Sequence, residues 1–92
     1  MKVTLIKKAS WCAQCEEAER ILADLQTRDK YRDIPIEIID EGKSPQAASG
    51  FKYQKLPNMW VGDQLIFEGE ASEELVKEAL ETALRPKGSG GL

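Results

Sequence analysis

The sequence predicts a small α/β domain in which a four-stranded mixed sheet is flanked by helices, in the order β-α-β-α-β-β-α, and three observations predict it. A strand-like run at Val3 to Ile6, a helical pattern from Ala13 and a second strand-like run at 34–39 follow one another closely enough to form a βαβ unit. Such a unit has parallel strands and a right-handed crossover. Gly-Asp between two short apolar runs predicts a hairpin, and an amphipathic stretch behind a serine predicts a closing helix. With 92 residues there is room for one domain with an economical core, spanning 1–86, and a tail at 87–92.

Val3 to Ile6 is apolar and partly β-branched, which suits a buried strand better than so short a helix. In the first helix Ala18, Ile21, Leu22 and Leu25 follow the i, i+3, i+4, i+7 rule, while Glu16, Glu17, Glu19, Arg20 and Asp24 fall largely on the other face. Glu16 and Arg20 are expected to pair at i, i+4, for about 0.3 kcal/mol. Ile34, Ile36 and Ile38 alternate with Pro35 and Glu37, and Ile39 extends the run, so 34–39 is the second strand. Pro35 lacks an N–H for the ladder, which places that strand at a sheet edge. Asp40 and Glu41 read as turn residues, with a second reading of Asp40 as a buried proton acceptor for Cys15. Ser44 and Pro45 read as N-cap and first helical position of a short helix that runs to about Ser49 and ends at Gly50.

Met59 to Val61 and Leu65 to Phe67 are the hairpin strands, with Gly62 supplying the positive φ of a type II′ turn. Met59, Trp60 and Phe67 are assigned to the core. Gly69 breaks the strand pattern. Ser72 caps the last helix, Glu73 and Glu74 suit its positive amino end, and Leu75, Val76, Ala79, Leu80, Ala83 and Leu84 form its apolar face. Pro86 stops it, and GSGGL reads as a flexible tail or a scar of cloning.

Composition narrows the function classes. Net charge is −3, and the lysines are scattered singly apart from Lys7-Lys8, so no basic stripe is offered to a nucleic acid. No apolar run approaches a membrane span, so no membrane partner is expected. The amino end MKVTLIKKAS has too short an apolar stretch for a signal peptide, which places the protein in the cytoplasm. A monomer is expected. In that reducing compartment a lone cysteine pair points to catalysis or metal binding rather than scaffolding.

The two cysteines of the chain sit in WCAQC, where the first predicted strand gives way to the first helix. As a staple, a Cys12–Cys15 bond closes so small a loop that it contributes about 1 to 2 kcal/mol in the loop-entropy model. As a metal site within one monomer the pair is insufficient, because zinc takes four ligands and the chain has no histidine. Two subunits sharing a metal or an iron–sulfur cluster through Cys12 is the noncatalytic alternative. Redox chemistry uses the position best: a helix amino terminus presents unpaired N–H groups and roughly half a positive charge, which stabilise a thiolate. Lys7 and Lys8 add favourable charge, Glu16 and Glu17 oppose it, and a net fall below the free-thiol value of about 8.5 is expected. Cys15 lies one turn deeper, within reach of Cys12 but shielded from outside attack. Cys12 is therefore the candidate nucleophile and Cys15 the resolving thiol.

With WCAQC, LPNMWVGDQLI and GEASEELVKEAL in view, the chain resembles the thioredoxin superfamily, in its smaller glutaredoxin-like or small-redoxin form, over roughly residues 2 to 85. The resemblance implies a thiol–disulfide oxidoreductase with no bound cofactor that reduces a disulfide-containing protein client. It also implies that Pro57 is cis and packs against the two cysteines, with the backbone of Leu56 pairing with an extended substrate. Trp11 has two readings, a hydrophobic collar around the disulfide that contacts the partner or a cover for the sheet edge, and Gln14 matches a residue found in some small redoxins; with Lys8, Leu56 and Pro57 they complete the substrate-binding candidates. Ala13-Gln14 and Lys55-Leu56 stand where glutaredoxins carry Pro-Tyr and Thr-Val, and the paired glycine followed by an aspartate that grips glutathione in that family has no counterpart in the motif region. The electron donor is accordingly left between glutathione and a thioredoxin-reductase-type protein, with Lys52 and Lys55 read either as solvated charges on a connecting segment or as contacts for the glycine carboxylate of glutathione.

Overall fold

A computed structural model of the chain describes residues 2–8 and 12–85. Trp11, Pro86 and the GSGGL tail lie outside the described residues. The element order is β1 (Val3–Lys7), α1 (Ala13–Leu25), β2 (Ile36–Asp40), α2 (Pro45–Ala48), β3 (Asn58–Val61), β4 (Gln64–Glu68) and α3 (Glu73–Leu84). The strands form one mixed sheet in the order β2-β1-β3-β4, with β1 and β2 parallel and the other two pairs antiparallel.

Strand alternation divides the core between the two faces of the sheet. Val3, Leu5, Met59, Val61 and Phe67 pack against Ala18, Leu22 and Leu25 of α1 and Val76, Ala79 and Leu80 of α3. Ile6, Ile39 and Trp60 point the other way, against Ala48 of α2 and the half-buried Phe51, Tyr53 and Leu56. Two helices thus cover one face, and one short helix with its following loop covers the other. Met59, Trp60 and Phe67 are all core residues, as expected.

Several local expectations need correction. β2 starts at Ile36, two residues later than its isoleucine pattern suggested. Pro35 has no N–H, so the ladder begins with its carbonyl, which accepts from Val3 N–H at 2.9 Å. Ile34 is buried in the core below that strand instead. Arg20 pairs with Glu17, not Glu16, because a doubly hydrogen-bonded fork closes at i, i+3, with Nη2 to Oε2 at 2.6 Å and Nε to Oε1 at 3.0 Å. Ser44 makes no side-chain cap on α2, and the turn before it is held by Asp40. The Asp40 carbonyl accepts from Ser44 N–H at 2.7 Å and its Oδ1 from Gly42 N–H at 2.9 Å. Oδ1 of that carboxylate thus serves the turn expected at Asp40. α2 ends at Ala48 with Ser49 as its C-cap, before Gly50. Gly62 does carry the positive φ required by the hairpin, at 60°. At Gly69 φ is 93°, and the stem of Lys55 lies over it. Ser72 caps α3 through its side chain, which accepts from Leu75 N–H at 3.2 Å.

Candidate functional site

The apolar stripe of α1 runs through Cys15, Ala18, Leu22 and Leu25, spaced three and four apart, and all four are buried. Helical geometry therefore carries Cys15 into the core, where it is 2% exposed. Cys12 is the N-cap of the same helix and stays half-buried at its rim. The two are joined as a disulfide, with Cα atoms 5.1 Å apart. Cys12 Sγ accepts from the Cys15 N–H at 3.0 Å, so the sulfur occupies the place of a capping oxygen and faces an amide that the first turn leaves without a partner.

The charges around this helix mouth differ from their sequence-level placement. Lys7 Nζ bonds Glu19 Oε1 at 2.7 Å, partly buried, so its charge is taken up by the middle of α1. Lys8 is exposed, its stem beside the turn at Gly42. Glu17 is held by Arg20, whose hydrogen bonds keep that carboxyl below the usual range, while Glu16 is exposed. Of the expected electrostatic contributors, the helix terminus itself is the one whose geometry the fold brings onto Cys12.

The Leu56–Pro57 peptide is cis, and Pro57 is buried. Asn58 pairs with Ile6, so Pro57 stands beside the Lys7 row, at the sheet end from which the chain runs on toward Cys12. Its carbonyl accepts from Gly69 N–H at 2.8 Å. Two residues further on, Ala71 N–H donates to Gln14 Oε1 at 3.2 Å. The 69–71 loop thus joins the proline segment to the first turn of α1, and Gln14 is the residue that reaches it. Leu56 is half-buried against the Ile6–Trp60 cluster. Its backbone N–H and C=O have no partner among the described residues.

Sequence reasoning missed two residues here. Asn58 is fully buried; its Nδ2 donates to Lys55 O at 3.1 Å and its Oδ1 accepts from Trp60 Nε1 at 2.7 Å. Glu68 Oε2 accepts from Gln54 N–H at 2.9 Å and from Lys55 N–H at 3.4 Å. The one available signal was an asparagine inside an apolar strand, a polar group that burial obliges to find partners. No comparable pattern marks a glutamate at a strand end.

No group of three or more potential metal-ligating side chains forms among the described residues. No helix among them is long and apolar enough to cross a membrane. Neither a family model nor a curated protein matches the chain. Among solved structures it is similar to one described as "Structure of a malarial protein", with a TM-score of 0.67 and 18% sequence identity over 91% of this chain and 97% of that one. A likeness at that identity concerns the fold alone, that of a small α/β protein with a four-stranded mixed sheet.

Proposed function

We propose that the protein is a thiol–disulfide oxidoreductase with a thioredoxin-type fold, acting as a monomer in a reducing compartment such as the cytoplasm. The fold assignment is supported by the β2-β1-β3-β4 order and by the placement of Pro57 just before β3, at the carboxyl end of β1. The observation that carries the functional reading is the unequal placement of two bonded sulfurs, one at the rim of a helix amino terminus and one in the core a turn below.

In the proposed cycle the reduced Cys12 thiolate attacks one sulfur of a client disulfide. A Cys12–client bond forms, the client's S–S bond breaks, and the departing sulfur leaves as a thiolate that takes up a proton. Cys15, losing its proton, attacks Cys12 Sγ; the Cys12–Cys15 bond forms and the client's second sulfur leaves as a thiol. Two electrons have passed from the dithiol to the client. The disulfide in the structure corresponds to the oxidised end of this cycle, and an external dithiol or two glutathione molecules would restore the reduced form. The N–H that meets Cys12 Sγ is suited to hold negative charge there. The Leu56 backbone, unpaired among the described residues, and the exposed Lys8 are the groups to which a client or donor would fit.

Disulfide reduction coupled to glutathione and its reductase, run beside the same assay with thioredoxin reductase, tests the reading and identifies the donor. Activity with one of them is expected, abolished in Cys12→Ser. Cys15→Ser is expected to accumulate the Cys12–client mixed disulfide. No turnover with either donor, or a stoichiometric iron–sulfur cluster in anaerobically purified protein, would overturn it.

A further inference from the structure

Resting on that reading, we propose that Glu68 is a positioning residue that presents the Leu56 backbone to an incoming chain, so that the preferred substrate is a disulfide within an extended polypeptide rather than a small one.

The segment before the cis proline belongs to no strand or helix, yet it is fixed on both sides of Leu56. Upstream, one carboxylate oxygen of Glu68 collects the N–H groups of Gln54 and Lys55, at 2.9 and 3.4 Å. Hydrogen bonds to a charged acceptor are stronger than those between neutral groups. The Lys55 carbonyl accepts from Asn58 Nδ2 at 3.1 Å, and Asn58 is itself held by Trp60 Nε1 at 2.7 Å. Downstream, the Pro57 carbonyl takes the Gly69 N–H at 2.8 Å. Glu68 is the register partner of Asn58 on β4, so the clamp springs from the same row of the sheet that ends at the proline.

Between these fixed points the donor and acceptor of Leu56 are left over among the described residues, while its side chain is anchored in the Ile6–Trp60 cluster. One donor and one acceptor on a single immobilised residue form the unit of a β ladder, and a chain laid beside it gains two backbone hydrogen bonds at no further ordering cost to the protein. A disulfide with no peptide backbone gains neither. Without the Glu68 carboxylate, Gln54 and Lys55 are free to turn, and the ordering of Leu56 falls on each binding event.

The test uses the pre-reduced full-length protein and follows its oxidation by two disulfides: a linear peptide with an internal disulfide, and 5,5′-dithiobis(2-nitrobenzoate). Glu68→Ala is expected to lower the second-order rate constant for the peptide about tenfold and to leave that for the small disulfide within about twofold. Glu68→Gln keeps one acceptor oxygen in nearly the same shape and is expected to fall between, which guards against a folding defect in the alanine variant. A peptide N-methylated beside its cysteine, unable to donate to Leu56, is expected to react slowly with the unaltered protein and to lose little more with Glu68→Ala. Equal loss with both disulfides, or no loss with the peptide, overturns the role of Glu68 and leaves the oxidoreductase reading standing. Failure of the unaltered protein to react with either disulfide overturns that reading and this inference with it.

Discussion

Cys12 and Cys15 differ in exposure because one caps a helix and the other lies on its buried stripe, and that difference has a direct chemical readout. After reduction, Cys12 is expected to be alkylated with a pH midpoint below the free-thiol value of about 8.5, and Cys15 far more slowly. A midpoint at or above that value, measured by mass spectrometry across a pH series, would remove the helix terminus as the activating influence. Asn58 allows a similar argument about stability. Its side chain satisfies the indole N–H of buried Trp60 and the carbonyl of Lys55. Asn58→Leu removes both partners while keeping the volume, and is expected to lower unfolding stability by about 1 to 3 kcal/mol, read from the denaturant midpoint at unchanged m-value.

At the level of elements, α3 and the loop after α1 are joined by a clasp of three side chains. Tyr31 Oη donates to Glu81 Oε2 at 2.5 Å, and Lys30 Nζ pairs with the same oxygen at 2.6 Å. These bonds hold the Glu81 carboxyl below its ordinary range, and the bond to Glu81 together with burial raises the Tyr31 phenol. On the other face, burial and then the bond to Glu41 push Tyr53 up to about 12. A group whose pKa is raised by folding contributes stability that is complete below its unfolded value and is lost as pH rises through the folded one. The lowered Glu81 carboxyl behaves in the opposite sense, its contribution being complete above the ordinary carboxylate range and lost as pH falls through the folded value. Tyr31 and Tyr53 are the chain's two tyrosines, both raised, so phenolate absorbance of the folded protein at about pH 10 is expected to be smaller than that of the guanidinium-unfolded chain, which is half ionised there. Coincident folded and unfolded titrations would dissolve both side-chain pairings. The apolar face of α3 carries a larger share of stability: Leu80 is 0% exposed, and Leu80→Ala is expected to cost about 2 to 5 kcal/mol.

For the molecule as a whole, β2 and β4 leave the two edges of the sheet open among the described residues, and β2 carries Ile38, 46% exposed. An apolar residue on an open edge favours edge-to-edge association. Ile38→Lys is expected to raise the temperature at which light scattering begins on heating, with unfolding stability changed by less than about 0.5 kcal/mol. What was legible in the sequence follows a physical division. The order of strands and helices, the Gly62 turn and the Ser72 cap are set by residues close together in the chain and appeared where the local pattern placed them, whereas Ile38, Leu65 and Leu84 of the expected apolar faces are exposed. The start of β2 was misplaced because its isoleucines alternate through Ile34, whereas pairing with β1 begins only at the carbonyl of Pro35. The cysteine pair was legible for the same local reason, since spacing and helix position alone set one sulfur at the rim and one below. By itself, then, the sequence determined the element order, the two faces of each helix and the candidate redox pair. Tertiary structure alone decided that Lys7 serves Glu19, that Gln14 reaches Ala71, and that Glu68 and Asn58 fix the chain before Pro57. Three of those contacts cross from one element or loop to another, and Asn58 reaches back from its strand to the loop before it; their energy depends on distances that no spacing along the chain encodes until the sheet has assembled.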